Sequence, residues 1–118
     1  MDSTVATRNA QIIDEIESTL AGMSDLMQRE DLMLGDVPAM LGGARRNLYM
    51  AKVATSGSDL MQRLLKAAYC LGKFHTAMDM LAGDHEGTRC KFPNRRSELR
   101  SYREVARELI GKLETLFN

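Results

Sequence analysis

Apolar residues recur along this chain at alternating steps of three and four, the spacing of one face of an α-helix. The first run passes through Ala6, Asn9, Ile13, Ile16, Leu20, Met23 and Met27, with Asn9 its one polar member. It predicts a helix over about 5–34, stopped by Gly35 in a left-handed turn. Gly22 lies inside that run and marks a kink or a close helix contact. The stretch Asp36, Val37, Pro38 reads as a helix start, because a carboxylate accepts free backbone N–H groups and proline lacks one in the first turn. A second helix over about 37–55 follows through Leu41, Ala44, Leu48, Ala51 and Thr55, its first turns weakened by Gly42 and Gly43.

The breaker "TSGSD" at Thr55–Asp59 precedes a third run, with Ser58 as the expected N-cap. Gly57, Leu60, Leu64, Ala67, Leu71, Phe74, Met78 and Leu81 hold the helical spacing without interruption, and Met61, Leu65 and Ala68 widen the apolar face. This third helix, about 58–82, is expected to be the most buried. The period fails over Ala82–Asn94, which carries two glycines and a proline and reads as the longest loop. A fourth helix over about 95–117, capped by Asn94 or Ser97, runs through Leu99, Tyr102, Ala106, Leu109, Leu113 and Leu116. Nothing alternates with period two over the length of a strand. The expected fold is all-α: a four-helix antiparallel bundle with coiled-coil-like seams, one domain over 1–118.

The hexapeptide "SDLMQR" occurs at Ser24–Arg29 and again at Ser58–Arg63. Its second copy continues into a run that resembles the tetratricopeptide repeat at Ala68, Gly72, Phe74 and Ala77, which would imply a helix pair turning near Gly72. The first copy has no such continuation, and one unit has nothing to stack on, so the hexapeptide reads as a capped amphipathic turn used twice. The segment 68–81 also resembles a helix-turn-helix of transcriptional regulators, through Ala68, Gly72, Met78 and Leu81, and that resemblance implies DNA binding. Against it, Lys73 stands where that family buries an aliphatic residue, and the recognition face would carry Phe74, His75, Thr76, Asp79 and Met80. The seam crosses Gly72 without a phase break, as in one continuous helix.

Sixteen basic and sixteen acidic side chains cancel, which excludes a globally basic nucleic-acid-binding domain. The charge is nevertheless polarised: residues 1–40 hold eight acids and two bases, whereas 41–80 hold two acids and six bases. On the fourth helix Arg96, Arg100, Arg103 and Arg107 form a stripe about 100° from the apolar seam. The stripe is either a surface for phosphates or another anionic partner, or it is paired internally. Internal pairing is expected, with Asp14, Glu17 and Asp25 of the first helix as the partners.

Cys70, His75, His85 and Cys90 carry the residue types of a zinc site, but Cys70 and His75 point about 140° apart on a helix. No metal and no cofactor is therefore expected, and no catalytic residues are assigned. Two cysteines and no signal-like opening segment suggest a reduced, cytoplasmic protein, and no apolar run is long enough to span a membrane. The functional expectation is a non-enzymatic helical interaction or regulatory protein of adaptor type, acting through protein contacts. The alternative is a nucleic-acid-binding regulator using the 96–107 stripe or the 68–81 segment. The first helix is much longer than the second, so a homodimer is expected to cover the seam between Ile13 and Met27.

Overall fold

The computed structural model describes residues 3–117, with side chains from residue 7 onward, so the side chain of Ala6 lies outside the described residues. It contains four α-helices: α1 (Ser3–Arg29), α2 (Val37–Lys52), α3 (Gly57–Ala82) and α4 (Arg96–Glu114), the last entered through a short 3₁₀ turn at Pro93–Arg95. There is no strand among the described residues. The helices pack into a bundle around one apolar core, elongated to 49 × 28 × 19 Å.

The helix ends differ from expectation for local reasons. Helix α1 stops at Arg29, five residues before the expected end, because Asp31 takes a left-handed backbone with φ 57°. The amide of Leu32 then donates to the Met27 carbonyl and that of Asp31 to the Gln28 carbonyl, a Schellman closure. Leu32 and Met27 are both buried, supplying the apolar contact that accompanies such a closure. Gly35, at φ 53°, serves instead in the turn into α2. Asp36 stands at the start of α2 but makes no side-chain cap bond. Helix α3 is capped by Ser56, whose hydroxyl accepts from the Asp59 amide at 3.1 Å, and not by Ser58. Neither Asn94 nor Ser97 caps α4, because the 3₁₀ turn places Arg95 at that position.

The seams hold where the chain is helical. Ile13, Ile16, Leu20, Met23 and Met27 are all buried, so the α1 seam is covered by its own chain and the reason for expecting a homodimer disappears. Asn9 is half-buried. In α3 the buried positions are Leu64, Ala67, Leu71, Phe74, Met78 and Ala82, while Leu65 turns outward. Helix α3 runs unbroken through Gly72. The turn required by both a tetratricopeptide unit and a helix-turn-helix is therefore absent from 68–81.

Two helical glycines have opposite surroundings. Gly22 opens onto empty space, so no close helix contact requires a glycine there. At Gly43 a Cβ would come within 2.9 Å of the Cys70 sulfur, so glycine there permits the close approach of α2 to α3. Further along α2, Asn47 accepts from Arg63 at 3.4 Å.

Candidate functional site

Each arginine of the α4 stripe has a distinct environment. The α3 helix ends at Gly83, φ 77°, where the Gly83 amide donates to the Met80 carbonyl and the Asp84 amide to the Asp79 carbonyl. That closure sets the carboxylates of Asp79 and Asp84 side by side at the negative end of the helix. Arg96 donates from Nε to the Ala82 carbonyl at 3.2 Å. Arg100 grips Asp84 through two bonds of 2.7 and 2.6 Å. Arg103 reaches Asp79 at 2.8 Å and Asp84 at 2.9 Å. Arg107 projects from the surface with its side chain 65% exposed, and meets Glu104 at 3.8 Å. Three of the four guanidinium groups are thus engaged in closing the α3 terminus.

The stripe is internally paired, but not with the first helix. Asp14 and Glu17 pair with Lys52 of α2 at 2.9 and 2.8 Å, and Glu15 meets Lys112 at 3.7 Å. The arginine that reaches the end of α1 is Arg95, which donates to the Glu30 carbonyl and carboxylate at 2.9 and 3.1 Å. Tyr102 donates its hydroxyl to Glu30, and Glu98 meets Arg95 at 2.9 Å. The neighbouring Glu98 carboxyl, together with burial, pushes Glu30 above the usual carboxylate range. Arg95 holds Glu98 below it.

The Asp84 clasp has an expected pH signature. Arg100 foremost, with Arg103, lowers the Asp84 carboxyl from 3.8 to about 2. A lowered folded-state value stabilises the fold above the unfolded value, and that contribution is lost as pH falls through the folded one. The contribution should therefore fade between about pH 4 and pH 2. In Arg100→Gln, carbon-detected NMR titration should find Asp84 titrating nearer its ordinary value; an unchanged midpoint would refute the clasp.

The four metal-ligand residue types do not converge. Cys70 lies against Gly43 on the α2 side of α3, whereas His75 faces Asp79, with Nδ1 at 3.8 Å from its carboxylate. His85 is exposed, and the Cys90 backbone lies against Gly83. Among the described residues no group of three or more His, Cys, Asp or Glu side chains is placed to hold a metal ion. No helix among them is long and apolar enough to cross a membrane.

The surface that the heptad pattern did not reveal lies on the outside of α2 and α3. Tyr69 is 67% exposed, Tyr49 57%, Leu65 53% and Met80 45%. Tyr69 and Met80 sit about 160–180° round α3 from Leu71 at helical spacing, far from the buried seam. A shallow groove of about 410 Å³ runs past Tyr69, Gly72, Thr76, Ala77 and Met80 of α3 and Met40 of α2, bordered by Lys73. The Lys73 ammonium stands 5.5 Å from the Tyr69 ring centroid, a cation–π contact. Off-seam Tyr and Met on a helix otherwise spaced for burial were the available sequence signal.

The class defined here is an all-α protein of four packed helices with a sealed core and an apolar, cation-bordered outer face. Comparison with protein-family models, with curated proteins and with solved structures finds no match.

Proposed function

We propose that the chain is a small helical interaction module, an adaptor or regulator that works through protein–protein contacts rather than catalysis. The observation that carries this reading is the exposure of Tyr69, Leu65 and Met80 on α3, of Tyr49 on α2 and of Val53 just past the α2 end, beside helical seams that are already buried. Side chains of this size, left outside a filled core and gathered mainly on α2 and α3, with Leu26 of α1 apart from them, suit recognition of a second molecule. The helices form an antiparallel bundle with coiled-coil-like seams, a reading supported by the opposed order of the Gly43–Cys70 and Asn47–Arg63 contacts. The competing reading, nucleic-acid recognition by Arg96, Arg100, Arg103 and Arg107, would require Arg100 and Arg103 to leave Asp84 and Asp79.

The test is affinity capture of the tagged chain from its source cells, with and without nuclease. A discrete protein should co-purify in near-stoichiometric amount, unaffected by nuclease or by changing Arg96, Arg100, Arg103 and Arg107 together to Gln. If only nucleic acid is recovered, or if nuclease removes the partner, the interaction reading fails.

A further inference from the structure

We infer that the groove between the start of α2 and the outer face of α3 binds an acidic amphipathic helix presented by a partner protein. The groove has a floor and walls of the right character. Gly72, Thr76 and Ala77 form a low floor, and a Cβ added at Gly72 would meet nothing within 4 Å. Tyr69 and Met80 close its two ends along α3, and Met40 forms the α2 wall. From Tyr69 to Met80 is eleven residues, roughly 16 Å or three helical turns, a length that accommodates apolar anchors at i, i+4 and i+7 of a docked helix. Two of the three bulky walls are flexible methionine and can adapt to a partner's side chains.

Charge chooses among occupants. Within 41–80 the two acids are already engaged, Asp59 with Arg63 and Asp79 with Arg103. The exposed cations Arg45, Arg46, Lys66 and Lys73 have no ion-pair partner among the described residues. Lys66 and Lys73 lie about two turns apart, one turn to either side of Tyr69 and on the same side of α3, so the outer face pairs apolar surface with unneutralised positive charge. Asp36 precedes Met40 by one turn, so the partner's carboxylates belong over Lys66 and Lys73 rather than at the Met40–Met80 end. An apolar floor favours a side-chain-bearing helix over a phosphate backbone, which needs a polar bed.

This inference rests on the protein-interaction reading but can fail separately from it. The probe is a synthetic eighteen-residue helical peptide with Leu anchors at i, i+4, i+7 and i+11 and Glu flanking them, compared with the same peptide carrying Lys for Glu. In ¹H–¹⁵N spectra of the full chain, the Glu peptide should shift the amides of Tyr69, Gly72, Lys73 and Thr76 saturably. The Lys peptide should bind at least tenfold more weakly. Lys66→Glu with Lys73→Glu should weaken the Glu peptide at least tenfold and weaken it less as salt is raised. Gly72→Leu should fill the floor and block binding while the protein melts no lower than the original, which separates loss of the groove from loss of the fold. Equal binding of both peptides overturns the inference, as do shifts confined to other helices. Concentration-dependent shifts at these amides without peptide would assign the groove to a second copy. Tighter binding of phosphatidylserine vesicles or a DNA duplex than of the Glu peptide would assign the face to anionic surfaces. Successful cellular capture alongside failure of the Glu peptide would leave the interaction reading standing and remove this groove from it.

Discussion

Phe74→Ala is expected to destabilise the protein by about 3–5 kcal/mol, the largest effect of any single truncation in the chain. Phe74 is fully buried and belongs to α3, which packs against both α2 and α4. Removing the ring deletes its transfer free energy and leaves a cavity that the surrounding Leu and Met side chains fill only in part. Domains of this size are stable by about 5–15 kcal/mol, so the loss consumes a large share of the margin. Urea titration should show a lower midpoint with little change in slope. Leu65→Ala, on the same helix but facing solvent, should change stability by no more than about 0.5 kcal/mol. A loss below about 1 kcal/mol for Phe74→Ala would mean that the α3 interior is not packed as described.

Gly83→Ala should be nearly as damaging, for a backbone reason. Gly83 has φ 77°, where a Cβ costs about 1–2 kcal/mol. That Cβ would also lie 2.4 Å from the Cys90 amide nitrogen and 3.1 Å from the Arg89 carbonyl carbon. Both obstacles are main chain, so relief requires the loop to move away from α3. The move strains the bond from the Lys91 amide to the Leu81 carbonyl and displaces Asp84 from Arg100. A total loss of about 2–4 kcal/mol is expected, a fall in melting temperature of roughly 10 °C. Gly87 supplies the control, since it has nearly the same φ, 78°, but nothing within 4 Å of an added Cβ. Gly87→Ala should therefore lose only the conformational part. Equal melting temperatures for the two variants would show that the loop does not press on Gly83.

The helical seams were legible in the sequence because a side chain's direction along a helix depends only on its position in the turn. Leu41, Ala44, Leu48 and Ala51 of α2, and Leu99, Tyr102, Ala106, Leu109 and Leu113 of α4, are buried where the period placed them. Helix ends were less legible, since several residues can stop or cap a helix and the choice depends on what the following chain packs against. Asp31 closes α1 ahead of Gly35 because Leu32 then enters the core. Ser56 caps α3 ahead of Ser58 because the first turn begins two residues earlier.

The stripe Arg96, Arg100, Arg103, Arg107 followed from spacing alone, as did the accumulation of acids in residues 1–40. Which charges meet is a property of how the helices lie against one another. Arg100 and Arg103 meet Asp84 and Asp79 because the α3 terminus lies beside α4, and Asp14, Glu17 and Glu15 of α1 meet Lys52 and Lys112 instead. Likewise the sequence alone determined four helices and their inward faces, through a short-range periodicity. Tertiary structure alone decided that the α1 seam is covered within the chain, that Gly43 admits Cys70, and that Tyr69, Met80 and Met40 border one groove. Each of these joins residues distant along the chain, whose separation is set by helix packing and not by any local pattern.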